Sequence, residues 1–175
     1  MVAVDANFLS LMLYPKARPP LDPATKKPVE RLADRIEKLI EDLDNEGERI
    51  ILPTPALCEF LVLAGADGSA YLDKISSLRT ILLKPFDQLA AIELAAMEVE
   101  ARGTGDKRGS VSQPWTKVKF DRQIVAIAKV NLATRIYSDD RDVRAFATKA
   151  GLEVVSCWEL PLPPAKQTDL FNDHT

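Results

Sequence analysis

Two kinds of segment alternate along the chain. Short apolar runs rich in β-branched residues, at Val2 to Val4, Ile50 to Leu52, Thr80 to Leu83, Arg135 to Ser138 and Glu153 to Val155, are separated by longer stretches of helical period. Strands spaced this way pair in parallel, because each intervening helix carries the chain back to the edge of the sheet where the next strand must start. The expected fold is therefore α/β: a single domain with a central parallel sheet of about five short strands and helices on both faces. A chain of 175 residues is long enough to bury one sizeable core.

The helical segments can be placed from their stripes and caps. "VERLADRIEKLIEDL" sets Val29, Leu32, Ala33, Ile36, Leu39, Ile40 and Leu43 on one face with charges opposite, which predicts a helix from Pro28 to near Gly47. "DQLAAIELAAMEVEARG" predicts another, capped by Asp87 and closed by Gly103, with Ile92, Ala95, Ala96 and Val99 forming a small-residue face suited to close packing. Further helices are expected at Asn7 to Leu13, Pro55 to Ala64, Ser69 to Ser77, Asp121 to Leu132 and Arg141 to Ala150. Two stretches, near 15–28 and 102–119, look like loop additions to a domain spanning 1–157, and 158–175 reads as a Pro-rich tail.

Several chemistries are disfavoured by composition. No apolar run approaches the ~18 residues that cross a bilayer, and "MVAVDANFL" lacks the basic region of a secretory signal, so a soluble, cytoplasmic protein with no membrane role is expected. Cys58 and Cys157 lie far apart with no partner at metal-ligand spacing, and the single histidine, His174, sits at the C-terminus. Disulfide, zinc and histidine chemistry are thus not expected. The net charge of −3 argues against a basic surface coat, yet 102–119 concentrates Arg102, Lys107, Arg108, Lys117 and Lys119 against the one acid Asp106. Such a stretch is either a solvated loop or a phosphate-contacting one.

The acids carry the chemistry. In "PTPALCEFLVLAG" Thr54 can cap and Pro55 can take the first turn, while Glu59 is the one polar residue of an otherwise apolar helix; its carboxylate is expected where water is scarce, or paired at the edge of a buried face. Asp121 opens "DRQIVAIAKVNL" at the head of a core-facing stripe, where it could be only an N-cap, as could Asp5 after the strand "VAV". "SDDRD" supplies Asp139, Asp140 and Asp142 where one cap, from Ser138 or Asp139, would suffice.

Position decides among these options. In a parallel sheet ligands bind beyond the carboxyl ends of the strands, where strand order reverses. If the first and fourth strands are neighbours, Asp5 and Asp140 emerge together there, with Glu59 and Asp121 in the opening turns of nearby helices. Carboxylates gathered in one crevice repel, and a hard divalent cation, Mg²⁺ or Mn²⁺, is the natural resolution. Asp139 or Asp142 would assist Asp140.

With these residues in hand, the chain resembles the PIN-domain nucleases, most closely the VapC-type toxin ribonucleases. The matching elements are "VDANFL", "PTPALCEFL", "DRQIVAIAKVNLATRIYSDDRDV" and the closing "GLEVV", which together cover most of Met1 to Cys157 but not the additions. The resemblance implies a metal-dependent endoribonuclease with Asp5, Glu59, Asp121 and Asp140 as catalytic and metal-binding acids and Asp142 as a supporting ligand. It further implies Asn7 and Ser138 as polar neighbours, an RNA substrate, a small antitoxin protein as partner and a homodimer. In this setting Lys107, Arg108, Lys117 and Lys119 are nucleic-acid-binding candidates. No protein nucleophile is evident, since Ser138 has no base beside it in sequence. Alternatives are a PIN-like module that binds without catalysis and a non-toxin RNA- or DNA-processing nuclease. A haloacid-type phosphatase is less well matched, because Asn7 stands where its second Asp would be, and no Lys completes a phosphorelay receiver.

Overall fold

The computed structural model describes residues 1–15, 17–103 and 115–164, with the backbone alone at 101–103 and 115–117. Strands β1 (Val2–Val4), β2 (Ile50–Pro53), β3 (Ile81–Lys84), β4 (Arg135–Tyr137) and β5 (Glu153–Val155) form one parallel sheet in the order β3-β2-β1-β4-β5. The central strands β1 and β2 are buried at every residue, as their unbroken apolar runs require, whereas the edge strands β3 and β5 are partly open. The chain steps outward from β1 through β2 to β3, then returns to the far side of β1 for β4 and β5. Strand order therefore reverses between β1 and β4, where Val4 lies opposite Tyr137.

The helices are α1 (Ala6–Leu13), α2 (Leu32–Asn45), α3 (Thr54–Ala64), α4 (Gly68–Ser77), α5 (Gln88–Gly103), α6 (Trp115–Val130) and α7 (Arg141–Lys149). Because parallel crossovers share one hand, those running toward β3 and those running toward β5 lay their helices on opposite faces of the sheet. Phe8, Leu9, Ile51, Leu52, Phe60, Ile124, Ile127, Ile136 and Tyr137 form the centre of the core, all essentially inaccessible. Each contributes on the order of 2 kcal/mol through burial. Among the described residues no helix is long and apolar enough to cross a membrane. Both cysteines are free thiols, Cys58 exposed and Cys157 buried.

The structure corrects four expectations. First, α2 begins at Leu32 rather than Pro28, because Pro28 bridges Leu21 and the Val29 N–H donates to the Pro20 carbonyl at 3.0 Å. The turn inside this loop is held by Asp22, whose carboxylate accepts from the Ala24 N–H at 2.7 Å. Second, α6 starts at Trp115, so Lys117 and Lys119 lie on a helix and not in a loop. Val118 is buried and extends the stripe of Val125 by two turns, which the flanking lysines concealed in the sequence.

Third, the face of α5 built from Ile92, Ala95, Ala96 and Val99 points to solvent. The helix is held by its other side: Ala90 is buried, Glu93 pairs with Lys129 at 2.6 Å, and Glu98 pairs with the buried Arg122 of α6. Asp87 caps it as expected, accepting from the Ala90 N–H at 3.0 Å. Fourth, α3 does not carry Glu59 where water is scarce. It buries Ala56, Leu57, Phe60 and Ala64 but exposes Cys58, Glu59, Val62 and Leu63. The start of the Pro-rich segment is tied to α2, where Arg35 donates to the Leu160 carbonyl and Arg31 donates to those of Pro163 at 2.9 Å and Pro164 at 3.2 Å.

Candidate metal centre

Asp5 and Ser138 follow the adjacent strands β1 and β4, and pairing of those strands brings them together. One Asp5 oxygen accepts the Phe8 N–H at 2.7 Å and so caps α1; the other accepts the Ser138 hydroxyl. The capping role anticipated for Asp5 is real, but it uses only half of the carboxylate. Burial pushes the Asp5 carboxyl up to about 7. The bonds from Ser138 and Phe8 pull it back down, and the nearby charges of Asp139 and Asp140 raise it further. The Ser138 Oγ also accepts the Asp140 N–H at 3.1 Å, so one hydroxyl links the acid after β1 to the acid after β4.

Asp140, rather than Ser138 or Asp139, is the N-cap of α7, and its Oδ1 accepts the Asp142 N–H at 2.7 Å. That bond fixes both acids on the first turn of the helix. Asp121 arrives from α6, which packs on α7 with the Arg122 guanidinium 4.6 Å from the centre of the Phe146 ring. It is buried in the second turn of α6, so the simple capping role open to it in the sequence does not apply. Carboxylate oxygens of Asp121, Asp140 and Asp142 all lie within 4.8 Å of one another.

This donor set fits a hard divalent cation. It offers only carboxylate oxygens, one of them from a buried side chain, and with no cation the charges repel at short range. Among the described residues, nitrogen and sulfur donors, which would favour zinc, do not contribute to the cluster.

The other candidates fall differently. Glu59, expected where water is scarce, is exposed on α3, a helix that packs against α1 and α6. The reason is that α3 turns an apolar face outward, lining a shallow groove with Thr54, Leu57, Cys58, Leu61 and Val62, so an apolar helix here does not mean a buried one. Asn7 is exposed on the first turn of α1, and Ser138 is fully buried. Asp139 is not one of the three grouped acids; its carboxylate accepts the Cys157 N–H at 2.8 Å, and Asp142 is the neighbour that joins Asp140. Ser138 does have a carboxylate beside it, contrary to expectation, but a fully buried hydroxyl cannot reach a phosphate. Lys119 is exposed on α6, Lys117 lies on the same helix, and Lys107 and Arg108 lie outside the described residues. Ser156 and its neighbours, which brace the acid-bearing turn, were not singled out in the sequence, although "SCWE" carries the Ser-x-x-Glu pattern of a capping box.

A parallel sheet with acids gathered at its switch point is the arrangement of a PIN-like domain. The solved structures agree: the fold is similar to that of a chain in the crystal structure of DNA-bound VapBC from Salmonella typhimurium. The TM-score is 0.54 at 14% identity, over 89% of this chain and 97% of that one. The protein thus has a VapC-like PIN-domain fold. No protein-family model and no curated protein sequence matches the chain.

Proposed function

We propose that the protein is an endoribonuclease that uses Mg²⁺ or Mn²⁺ to hydrolyse RNA phosphodiester bonds, and that it acts as the toxin component of a toxin–antitoxin pair in the cytoplasm. The observation that carries this reading is the convergence of Asp121, Asp140 and Asp142 beside the β1/β4 switch point. Asp121, Asp140 and Asp142 would hold the cation, with Asp5 and Glu59 as the further acids of the site. Asn7 would be a polar contact at its mouth. Bound there, the cation supplies an activated water and stabilises the charge that develops on the phosphate. Ser138 orients the site by fixing Asp5 and the backbone of Asp140 in one network.

A nucleophile from the protein has little support. Among the described residues Ser138 is sealed in the core, Cys157 is buried, and Cys58 stands on the groove of α3 without a histidine to activate it. Lys107, Arg108, Lys117 and Lys119 precede or flank Asp121 in the chain and would hold the RNA backbone beside the cation. The exposed apolar face of α5 supplies surface that a homodimer would bury, and the groove on α3 offers an apolar site for an antitoxin. That the similar solved structure is a DNA-bound VapBC complex supports both the toxin reading and a protein partner.

A cation that binds only the assembled site stabilises the fold by mass action. Millimolar Mn²⁺ should therefore raise the melting temperature of the wild type by several degrees, and should do so much less in Asp140→Asn, which keeps the side-chain size and loses the charge. An equal response in the two proteins, or none in either, would remove the metal centre from the account.

A further inference from the structure

The turn that presents Asp140 and Asp142 is braced from outside the cluster, by the segment that follows β5. The Ser156 hydroxyl donates to the Ser138 carbonyl at 2.8 Å, the Asp139 carboxylate accepts the Cys157 N–H at 2.8 Å, and the Ser138 N–H donates to the Val155 carbonyl at 3.0 Å. Ser156 is itself fixed: it is buried, its hydroxyl accepts from the Arg144 guanidinium at 2.8 Å, and its N–H donates to Glu159 at 2.7 Å. Arg144 also pairs with Glu159, which closes the loop back onto α7.

We infer that Ser156 and Asp139 are positioning residues, which set the metal affinity of the acid cluster by holding the 138–140 turn against the segment that starts the 3-10 turn Cys157–Glu159. This rests on the metal-centre reading above and extends it to residues outside the donor set. The physical basis is that cation ligands must be held to within a few tenths of an ångström. Asp140 and Asp142 sit on the first turn of a nine-residue helix, and the backbone leading into that turn is fixed by the bonds from Ser156 and Cys157. Asp139 is not one of the three grouped acids, and the positive charge that acts on it is that of Arg144. The Asp139 carboxylate caps an N–H that would otherwise be an unsatisfied donor at the start of the 3-10 turn.

The test is Mn²⁺ titration of the full-length metal-free protein, followed by calorimetry, with chemical denaturation of each variant in EDTA alongside. Ser156→Ala and Asp139→Ala should weaken Mn²⁺ binding by roughly ten-fold or more, whereas Asp139→Asn, whose amide oxygen can still accept from Cys157, should bind nearly as well as the wild type. Arg144→Ala, at a half-exposed position, removes a donor to Ser156 without opening a cavity, and should weaken binding in the same direction if either of the other Ala variants fails to fold. A role confined to stability would lower the denaturation midpoint and leave the Mn²⁺ affinity alone, and would overturn the inference. So would an equal loss in Asp139→Asn and Asp139→Ala, which would mean that Asp139 acts through its charge. A wild type that takes up no Mn²⁺ would instead overturn the metal-centre reading, and this inference with it.

Discussion

Asp5 shows what it costs to place a carboxylate at the carboxyl end of a buried strand. Its proton is held up to about 7, above the ordinary value of 3.8, chiefly by burial. In the metal-free protein the folded state therefore keeps a proton that the unfolded chain gives up near pH 4. The stabilisation this proton confers is complete below the unfolded value and is lost as pH rises through about 7. Asp139 is shifted the same way by burial and adds to the trend. Denaturation in EDTA should thus show wild-type stability falling between about pH 4 and pH 7 by an amount on the order of a few kcal/mol, with a flatter profile in Asp5→Asn. Parallel profiles for the two proteins would mean that Asp5 is ionised throughout and that its burial is compensated in some other way.

At the scale of elements, α3 and α5 each pair a face that fixes the helix with an apolar face turned outward. Leu89, Ile92 and Val99 of α5 are each more than half exposed, while Glu93 and Glu98 hold the helix to α6. If this stripe is a dimer surface, Ile92→Glu should convert the protein to a monomer in sedimentation or light scattering while leaving its circular dichroism unchanged. An unaltered mass would assign the stripe to something other than self-association. These helices also mark the limit of what the sequence discloses. The central strands are legible because fully buried parallel strands need unbroken apolar runs, and Asp5 and Asp140 can be placed together because each follows a strand at its carboxyl end. Periodicity reports that a face is apolar but not what covers it, which is why one of the two readings of Glu59 puts it where water is scarce and the α5 stripe is expected to be packed. The early start of α6 was hidden by Lys117 and Lys119 on either side of Val118, and α2 starts late because the residues around Pro28 engage the Leu21 turn. The bonds from Ser156 and Cys157 join residues 18 positions apart, beyond any local pattern.

Across the whole molecule, charge is divided between an acidic crevice and a basic stretch that leads into α6, within a chain of net charge −3. Nucleic acid would be drawn to the basic stretch and kept off the rest of the surface, so the salt dependence of binding should report that stretch. Joint replacement of Lys107, Arg108, Lys117 and Lys119 by Ala should weaken RNA binding and reduce the salt slope by roughly three to four counterions. An unchanged slope would return these residues to the role of solvated surface charges. The central claim is that the acids at the β1/β4 switch point perform metal-dependent hydrolysis, and the most direct measurement maps the ends left on RNA. Purified protein should cleave single-stranded or structured RNA in Mn²⁺ to leave 5′-phosphate and 3′-hydroxyl ends. Cleavage should stop in EDTA and should be lost in Asp140→Asn and Glu59→Gln with the fold intact. Cyclic-phosphate ends, or full activity in EDTA, would contradict the account.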